Sequence, residues 1–465
     1  MSKLQLTLKI DRIVPVRDFT EGSILKQLVY FTVPMLLANL LQALYSVVDA
    51  IWVGRLIGHE AFAAVSTTIP MIFLLVSAII GLAMATNILV GQAFGSKNMK
   101  YLSKVLTNSF ISTGFLCIVI SIVGIIFSKP LLSLLNTPDD IKPMSNIFLT
   151  VTLSGLIFTF MYNWFSGVLR GLGDAKTPLY LLLVSTTLNI IIVPILIIGP
   201  GPIPKMGVAG SALGTIISNA IMIVVSYFLV LRKHALLNIR QWDFAIDWGI
   251  IKKIFTIGIP ISLQMIVISL GGVLMVSLAN GFGSLVTAAY GIGMQLDNLA
   301  FMPIMAIGMS VSSMVAQNLG ALKYDRVKKI MELSFVLSFA CAAFFFLLIF
   351  GFPRFIASIF TKEPAVIMLT VQYIKIVSFS YFLFSGIMVL QGVVRGSGDT
   401  TIMLIFSIIT MILVRFSLGY FLSKYTSLNE TGLWLAIPIS AFIGLLLHYW
   451  YYRSDRWKKR IVPHH

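Results

Sequence analysis

The sequence predicts an all-α integral membrane protein, and three observations carry this prediction. Of its 465 residues, 58% are hydrophobic and only 11% are charged, whereas a soluble domain carries roughly 25% charged residues. Apolar runs of 20 or more residues recur along the chain, and a helix needs about that length to cross a bilayer. The two halves of the chain also share motifs at a nearly constant offset, which predicts two bundles of similar fold.

Polar breaks separate the apolar runs and give twelve candidate spans. The predicted transmembrane helices are 27–54, 63–88, 104–128, 144–169, 178–199, 208–231, 252–280, 286–314, 329–352, 366–393, 401–423 and 433–452. Because twelve is an even number, both termini are expected on the same side of the membrane.

The distribution of positive charge gives the orientation. The two tails and the loops after spans 2, 4, 6, 8 and 10 hold 25 of the 34 Lys and Arg residues, whereas the opposite loops hold seven. Lys and Arg concentrate on the cytoplasmic side of membrane proteins, so both termini are predicted to be cytoplasmic. The net charge of +17 therefore reflects membrane orientation, and we expect no nucleic-acid partner.

An internal repeat divides the chain. Three pairs of features recur at a nearly constant offset: GVLRGLGD (167–174) with GVVRGSGD (392–399), VGQAFGSKNMKYLSK (90–104) with VAQNLGALKYDRVKK (315–329), and Pro34 with Pro260. Chance matches would not share one offset. An even-numbered repeat is parallel, with its pseudo-twofold axis along the membrane normal, which is typical of transporters that alternate access between two bundles.

The repeat predicts the domain organisation of a V-shaped, monomeric transporter. The predicted segments are a cytoplasmic N-terminal tail (1–26), a first six-helix bundle (27–231), a cytoplasmic linker (232–251), a second six-helix bundle (252–452) and a basic cytoplasmic C-terminal tail (453–465).

Asp49 is one of only two acidic residues well inside a predicted span; the other 15 of 17 lie in tails, loops or span ends. An ionisable residue within the membrane is a functional hypothesis by default. Tyr45 lies one helical turn earlier on the same face, and Asn189 and Thr215 fall well inside spans 5 and 6. We expect these four side chains to converge in the outer half of the first bundle.

This group of side chains suits a coupling ion. Protonated, Asp49 is neutral and can form a hydrogen bond; ionised, Asp49 can ligate Na⁺ together with Asn189. H⁺ or Na⁺ is thus the expected coupling ion, with no other cofactor. The alternative is a structural role, in which Tyr45 or a neighbouring helix satisfies the carboxylate.

Asp297, in span 8, is the second deep acidic residue. With Gln295 and Gln264 it is predicted to line the interior of the second bundle and to face substrate. A structural hydrogen-bond network explains Asp297 at least as well, and so does pairing with Arg415 of span 11.

Pro34 and Pro260 occupy equivalent positions in the first helix of each half. A proline inside a helix removes a backbone hydrogen bond and kinks the helix. Both residues are therefore predicted helix-bending sites, with a purely shaping role as the alternative.

The chain resembles the multidrug and toxic compound extrusion (MATE) family, and within it the prokaryotic DinF-like branch. The resemblance rests on VVDAIWVG in helix 1, LRGLGD after helix 4 and AAYGIGMQLDNLAFMPIMAIGMSVSSMVAQNLGA in helix 8. It implies a secondary active exporter in the prokaryotic plasma membrane. Such an exporter moves cationic or amphipathic compounds against inward H⁺ or Na⁺.

The resemblance also carries residues over. The family's helix 1 aspartate and tyrosine match Asp49 and Tyr45, its bending proline matches Pro34, and its polar residues in helices 4, 5 and 6 match Asn163, Asn189 and Thr215. One position departs from the family pattern. Many relatives have a second acid four residues after the helix 5 asparagine, where this chain has Val193.

Other functions remain open. A flippase for lipids or lipid-linked oligosaccharides belongs to the same superfamily, but would favour extra helices and a cationic cavity. A membrane enzyme would need a catalytic or metal-type cluster, which five His and two separated Cys residues do not supply. A channel fits poorly with a bundled repeat and a solitary deep acid.

Overall fold

The protein is almost entirely helical in the computed structural model, which describes residues 17–228 and 244–459. Within these two ranges there is no β-strand. Most of the predicted linker 232–251 lies outside the described residues, as do most of the N-terminal tail 1–26 and the second half of the C-terminal tail 453–465.

The first half of the described chain holds eight α-helices. They are α1 (Ile24–Leu56), α2 (His59–Gly95), α3 (Met99–Ile126), α4 (Ser128–Leu134), α5 (Lys142–Ser154), α6 (Leu156–Gly171), α7 (Lys176–Ile198) and α8 (Gly207–Ser226).

The second half repeats this order with one irregular span. Its α-helices are α9 (Trp248–Asn280), α10 (Ser284–Gly320), α11 (Tyr324–Gly351), α12 (Pro353–Phe360), α13 (Pro364–Val377), α14 (Ser380–Ser397), α15 (Thr400–Ser407), α16 (Ser417–Tyr425) and α17 (Glu430–Arg453). A π-helical stretch, Ile408–Phe416, joins α15 to α16, and a 3₁₀ turn, Arg456–Lys459, follows α17.

The number of spans agrees with the sequence prediction. Ten helical segments in the described ranges are long and apolar enough to cross a membrane, and the α15–α16 segment counts as one of them. Two further spans are bent pairs, α5 with α6 and α13 with α14, so that the total is up to twelve. The predicted all-α membrane fold with twelve spans is confirmed.

The two bent pairs occupy equivalent places in the repeat. The bends are 47° between α5 and α6 and 48° between α13 and α14. At the first bend, a Cβ on Gly155 would lie 2.2 Å from a side-chain carbon of Ile216. The absence of a side chain at Gly155 therefore lets α8 approach the break closely.

Packing divides the described chain into two units, with one division just after Leu36, two residues beyond Pro34, and the other just before Pro260. Unit 1 is built mainly from Leu37–Ile259, and unit 2 from Phe19–Leu36 and the residues from Pro260 onward. Pro34 and Pro260 both lie inside continuous helices. Each first helix thus begins in one unit and ends in the other. The bundle bounds 27–231 and 252–452, which follow the sequence repeat, stay a prediction.

The chain before α1 is held within unit 2 by polar side chains. The backbone N–H of Phe19 donates to Oε1 of Gln317 at 2.8 Å. The carbonyl of Phe19 accepts from Asn318 Nδ2 at 3.1 Å and from Arg326 Nε at 2.8 Å. Gln317 and Asn318 belong to the repeated VAQNLG motif, so this copy of the motif anchors the start of a first helix.

The chain before α9 is held in the same way within unit 1. Asn108 Nδ2 donates to the carbonyl of Ala245 at 3.2 Å, and the backbone N–H of Asp247 donates to Asn108 Oδ1 at 2.8 Å. Lys104 forms an ion pair with Asp247 at 3.6 Å. These contacts place the beginning of α9 in unit 1.

The two RG-x-GD motifs have different partners. The Asp174 carboxylate is buried and accepts from the backbone N–H groups of Lys176 and Thr177 at 2.9 and 3.0 Å, which caps α7. The equivalent Asp399 carboxylate instead accepts from the Tyr451 hydroxyl. Asp174 therefore has a structural role that Asp399 does not copy.

Replacing Asp174 tests this cap. Asp174→Ala should lower the stability of the detergent-solubilised protein by about 1 kcal/mol, because it removes the acceptor for the first turn of α7. Asp174→Ser keeps an acceptor and should lose less. Thermal unfolding measures both variants, and equal stability of Asp174→Ala and the wild type would show that the cap contributes nothing.

Candidate functional site

Tyr45 and Asp49 lie one turn apart on α1, on the part of this helix that belongs to unit 1. Residues four apart on a helix share one face. Both side chains are partly buried. This face carries the polar groups of an otherwise apolar segment and turns them toward α7 and α8.

Three side chains from three helices form a closed hydrogen-bonded triangle. The Tyr45 hydroxyl donates to Thr215 Oγ1 of α8 at 3.0 Å. Asn189 Nδ2 of α7 donates to the Tyr45 hydroxyl and to Thr215 Oγ1, both at 3.1 Å. The expected convergence of Tyr45, Asn189 and Thr215 is therefore present in the structure.

Asp49 lies beside this triangle and is held only weakly. Its Oδ1 accepts from Ser211 Oγ at 3.4 Å, near the long limit for a hydrogen bond. Its Oδ2 has no hydrogen-bond or ion-pair partner among the described residues and is not sealed from the surface. Asp49 thus has an oxygen free to bind a proton or a cation.

Asn189 also has an unused group. It is fully buried, and its Oδ1 has no hydrogen-bond partner in the described ranges. A buried acceptor without a partner is unfavourable and calls for an explanation. All acceptor atoms of this group are oxygens, which suits a hard monovalent cation or a proton. The group consists of Tyr45, Asp49, Asn189, Ser211 and Thr215.

Ser211 is the residue of this group that the sequence prediction missed. It lies one turn before Thr215 on α8, as Asp49 lies one turn after Tyr45 on α1. In neighbouring helices that run in opposite directions, these two pairs face each other. The spacing of Ser211 and Thr215 was the available signal.

Val193, at the position where many relatives have a second acid, is a buried packing residue. It is fully buried on α7, and a Cβ added to Gly214 would lie 2.6 Å from its Cγ2. Val193 thus fills the α7–α8 contact next to the polar triangle. Among the described residues there is no cluster of three or more His, Cys, Asp or Glu side chains.

Asp297 has a different environment in unit 2. Its Oδ2 accepts from the Tyr373 hydroxyl at 2.6 Å, and its Oδ1 accepts from the Tyr381 hydroxyl at 2.9 Å. Tyr373 lies on α13 and Tyr381 on α14, so one carboxylate joins both sides of the bend. The suggested ion pair with Arg415 is absent from the described ion pairs.

Aromatic rings surround Asp297 and its two tyrosine partners, Tyr373 and Tyr381, which we call the clamp. Tyr290 and Trp434 stack at a centroid distance of 5.7 Å, and Tyr373 meets Trp434 edge-to-face at 5.1 Å. All three rings are buried. Tyr373 and Tyr381 were not predicted, because nothing in sequence links a tyrosine in span 10 to an acid in span 8.

The remaining predicted residues do not join either group. Asn163 donates to the carbonyl of Thr159 in its own helix at 2.8 Å. Gln264 is buried and donates to Ser407 Oγ at 3.0 Å. Gln295 is exposed. No hydrogen bond within the described ranges links Gln264 or Gln295 to Asp297.

The internal repeat reappears in a comparison with known families. The MatE family model matches residues 34–195 and 260–421, beginning at Pro34 and Pro260. The chain belongs to the MatE family. As a MatE protein it is a multi-pass membrane transporter and not an enzyme, as the resemblance implied.

Two relatives illustrate the range of this MatE protein's similarities. It is 34% identical over 447 residues to the probable multidrug resistance protein YoeA of Bacillus subtilis (strain 168), covering 95% of this chain and 96% of YoeA. It is 26% identical over 411 residues to a FAD transporter of Shewanella oneidensis, covering 87% and 89% of the two chains.

Solved structures agree with the fold. A structure described as MATE in the bent conformation has a TM-score of 0.88 at 22% identity and covers 95% of this chain and 97% of its own. One described as MATE in the straight conformation has a TM-score of 0.85 at 22% identity, with 97% and 99% covered. At this identity the likeness shows the fold alone.

A glycine pair on α10 tests the clamp around Asp297. A Cβ on Gly293 would lie 2.3 Å from a ring carbon of Tyr373, whereas a Cβ on Gly291 meets nothing within 4 Å. Gly293→Ala should therefore displace Tyr373 from Asp297 and destabilise the protein by roughly 1–3 kcal/mol. Gly291→Ala is the matched control. Thermal unfolding that is identical for the two variants would contradict the clamp.

Proposed function

We propose that this transporter exports cationic or amphipathic small molecules in exchange for inward-moving H⁺ or Na⁺. The observation that carries the proposal is a pair of oxygens without hydrogen-bond partners among the described residues. They are Oδ2 of Asp49 and Oδ1 of the buried Asn189. A polar group with a purely structural role would have its hydrogen-bond partners within the protein. A group that binds an ion leaves an oxygen without a protein partner, so that this oxygen can contact the ion.

The names of the relatives support the choice of substrate class. YoeA and YpnP of Bacillus subtilis (strain 168) are both named probable multidrug resistance proteins. They are 34% and 32% identical to this chain over nearly its whole length. We infer a similar role in efflux for this chain.

Proton coupling follows from the atoms of the site. A proton that binds Oδ2 of Asp49 neutralises the carboxylate and turns it into a hydrogen-bond donor. The unpartnered Oδ1 of Asn189 is then an acceptor within the same group of side chains. A new hydrogen bond of this kind would draw α1 toward α7 and shift the balance between two arrangements of α1.

Sodium coupling would use the same oxygens. Oδ2 of Asp49 and Oδ1 of Asn189 have no hydrogen-bond partner among the described residues, and the hydroxyls of Thr215 and Ser211 have further lone pairs for an ion. A single carboxylate gives the bound ion one compensating charge. We therefore propose that one monovalent cation occupies the site at a time, because Val193 stands at the position of the second acid.

Helix α1 can transmit the change. Asp49 lies on the segment of α1 that packs in unit 1, whereas the residues up to Leu36 pack in unit 2. Pro34 lies next to the division and lacks the N–H that would stiffen this turn. We propose that ion binding bends α1 near Pro34, with Pro260 as the equivalent pivot in α9, and that bending expels the substrate.

The orientation follows from the charge distribution. We propose that both termini face the cytoplasm, because 25 of the 34 Lys and Arg residues lie in the tails and the loops on their side. Asp49 then lies in the outer half of the membrane, where it can take an ion from outside. A monomer contains both units and suffices for this mechanism.

The second candidate function is a flippase for lipids or lipid-linked oligosaccharides. The deep Arg415 favours it, since such substrates carry phosphate, and a relative is named a FAD transporter. The number of spans does not favour it, because the described residues give at most twelve. We therefore keep cation-coupled export as the primary proposal.

Matched substitutions at the two deep acids test the proposal. In proteoliposomes with an imposed pH or Na⁺ gradient, Asp49→Asn should reduce gradient-driven movement of rhodamine 6G at least about tenfold, or about 1.4 kcal/mol. The amide cannot exchange a proton and carries no charge for Na⁺. Which gradient drives the wild type identifies the coupling ion.

Asp297→Asn is the control for this test. An amide at that position can accept from one tyrosine and donate to the other, so the clamp persists and most of the transport should remain. Full gradient-driven transport by Asp49→Asn would overturn the proposal. Loss of transport in Asp297→Asn, with Asp49→Asn active, would move the coupling site to unit 2.

A further inference from the structure

Arg415 is a permanent charge well inside a span of unit 2. The span runs from Thr400 to Tyr425, and Arg415 lies several helical turns from its start and more than two turns from its end. It belongs to the π-helical stretch Ile408–Phe416. Such stretches are rare and frequently occur at functional sites.

The guanidinium of Arg415 is positioned on one side and open on the other. Its Nε donates to Ser440 Oγ at 2.8 Å, and its Cζ lies 5.7 Å from the centre of the Phe384 ring. The two terminal nitrogens have no hydrogen-bond partner among the described residues, and neither is sealed from the surface. The edge of the guanidinium that matches a carboxylate or phosphate is therefore free.

Asp297 does not neutralise this charge by direct contact. Both of its oxygens accept from tyrosine hydroxyls, and none of the ion pairs in the described ranges includes Arg415. An arginine inside a membrane normally pairs with an anion or faces a polar cavity. Arg415 has a polar anchor, and none of the described acidic side chains forms a direct ion pair with it.

The repeat shows what Arg415 replaces. The shift that carries the first family match, 34–195, onto the second, 260–421, carries Asn189 onto Arg415. In both units this side chain donates to a hydroxyl on the following span, from Asn189 to Thr215 in unit 1 and from Arg415 to Ser440 in unit 2.

The charge at this pair of equivalent sites is inverted. The shift between the two family matches carries Tyr45 and Asp49 onto Gly271 and Met275 of α9. Unit 1 therefore offers a carboxylate with neutral acceptors. Unit 2 offers a guanidinium, with no acid at the position equivalent to Asp49.

The π-helical stretch fits this replacement. The RG-x-GD motif at 167–174 recurs at 392–399, whereas the family match that ends at 195 ends in the second half at 421. The second half therefore has one extra residue between these points, and a π turn absorbs one residue without breaking the helix. The regular α7 lacks this feature, whereas the π-helical stretch includes Arg415.

We propose that Arg415 is the anion-binding residue of unit 2, and that it receives the carboxylate or phosphate group of an amphipathic ligand. This inference rests on the proposed export function and adds to its substrate class amphipaths that carry an acidic group. Ser440 positions the guanidinium, and Phe384 supports its face.

Two dyes that differ in one group test the proposal by direct binding. Rhodamine 6G is an ethyl ester, and rhodamine 19 is the corresponding free acid. Equilibrium fluorescence anisotropy with the purified full-length protein in detergent gives the Kd of each dye. Arg415→Gln should weaken rhodamine 19 at least about tenfold, the effect of one hydrogen bond to a charged group, and leave rhodamine 6G nearly unchanged.

Two further variants control for charge and geometry. Arg415→Lys keeps the positive charge but cannot form two parallel hydrogen bonds to one carboxylate. It should therefore weaken rhodamine 19 binding less than Arg415→Gln does. Lys375→Gln removes another positive charge from a span of unit 2, where the side chain is exposed, and should change neither Kd. Rhodamine 6G binding also reports whether each variant is folded.

A lipid probe distinguishes the two sources of the anion. Dioctanoyl phosphatidic acid should displace rhodamine 19 from the wild type, with dioctanoyl phosphatidylcholine, whose headgroup is zwitterionic and net neutral, as the control. If Arg415→Gln weakens only phosphatidic acid, the anion is a lipid headgroup; if it weakens rhodamine 19, the site takes soluble acids. Either result supports the anion site.

The proposal is overturned if Arg415→Gln changes both dyes equally or weakens no acidic probe. Transport of rhodamine 6G by wild-type proteoliposomes tests the export function separately. Absence of that transport would refute export without affecting the binding comparison, so the two failures can be told apart.

Discussion

A charge inside a hydrocarbon layer needs a partner, and this constraint orders the interior of both units. Asp297 meets it with two tyrosine hydroxyls. Asp49 meets it only in part, through one long bond from Ser211, and Arg415 meets it on one edge through Ser440. The groups that are fully satisfied hold the fold together. We propose that the partly satisfied groups are the ones that bind an ion or a ligand.

The two units show how the polar side chains of a repeat can diverge while its fold persists. The bent pairs have nearly equal angles, 47° and 48°, and the paired prolines lie next to the divisions. Yet the carboxylate of α1 has no acidic counterpart in α9, and the amide of α7 has a guanidinium as its counterpart. Helix geometry depends on many apolar contacts, whereas the character of a site depends on three or four polar side chains.

The number of spans, the repeat and the Tyr45–Asn189–Thr215 group were accessible from sequence. Hydropathy gives the spans, a fixed offset gives the repeat, and the group follows from polar residues well inside spans and from the family resemblance. The exchange of the first helices between units was not, since it depends on bonds such as Phe19 to Gln317. The tyrosine partners of Asp297 were equally hidden. Gln264 and Gln295 were expected near Asp297 because all three are polar, but helical phase places Gln295 at the surface and Gln264 against Ser407.

The central claim is that Asp49 alone exchanges the coupling ion while Asp297 is structural. Counting the H⁺ or Na⁺ ions that purified protein releases on binding rhodamine 6G tests it most directly. The account predicts a single ion released by the wild type and by Asp297→Asn, and none by Asp49→Asn. Release of two ions by the wild type, or undiminished release by Asp49→Asn, would contradict it.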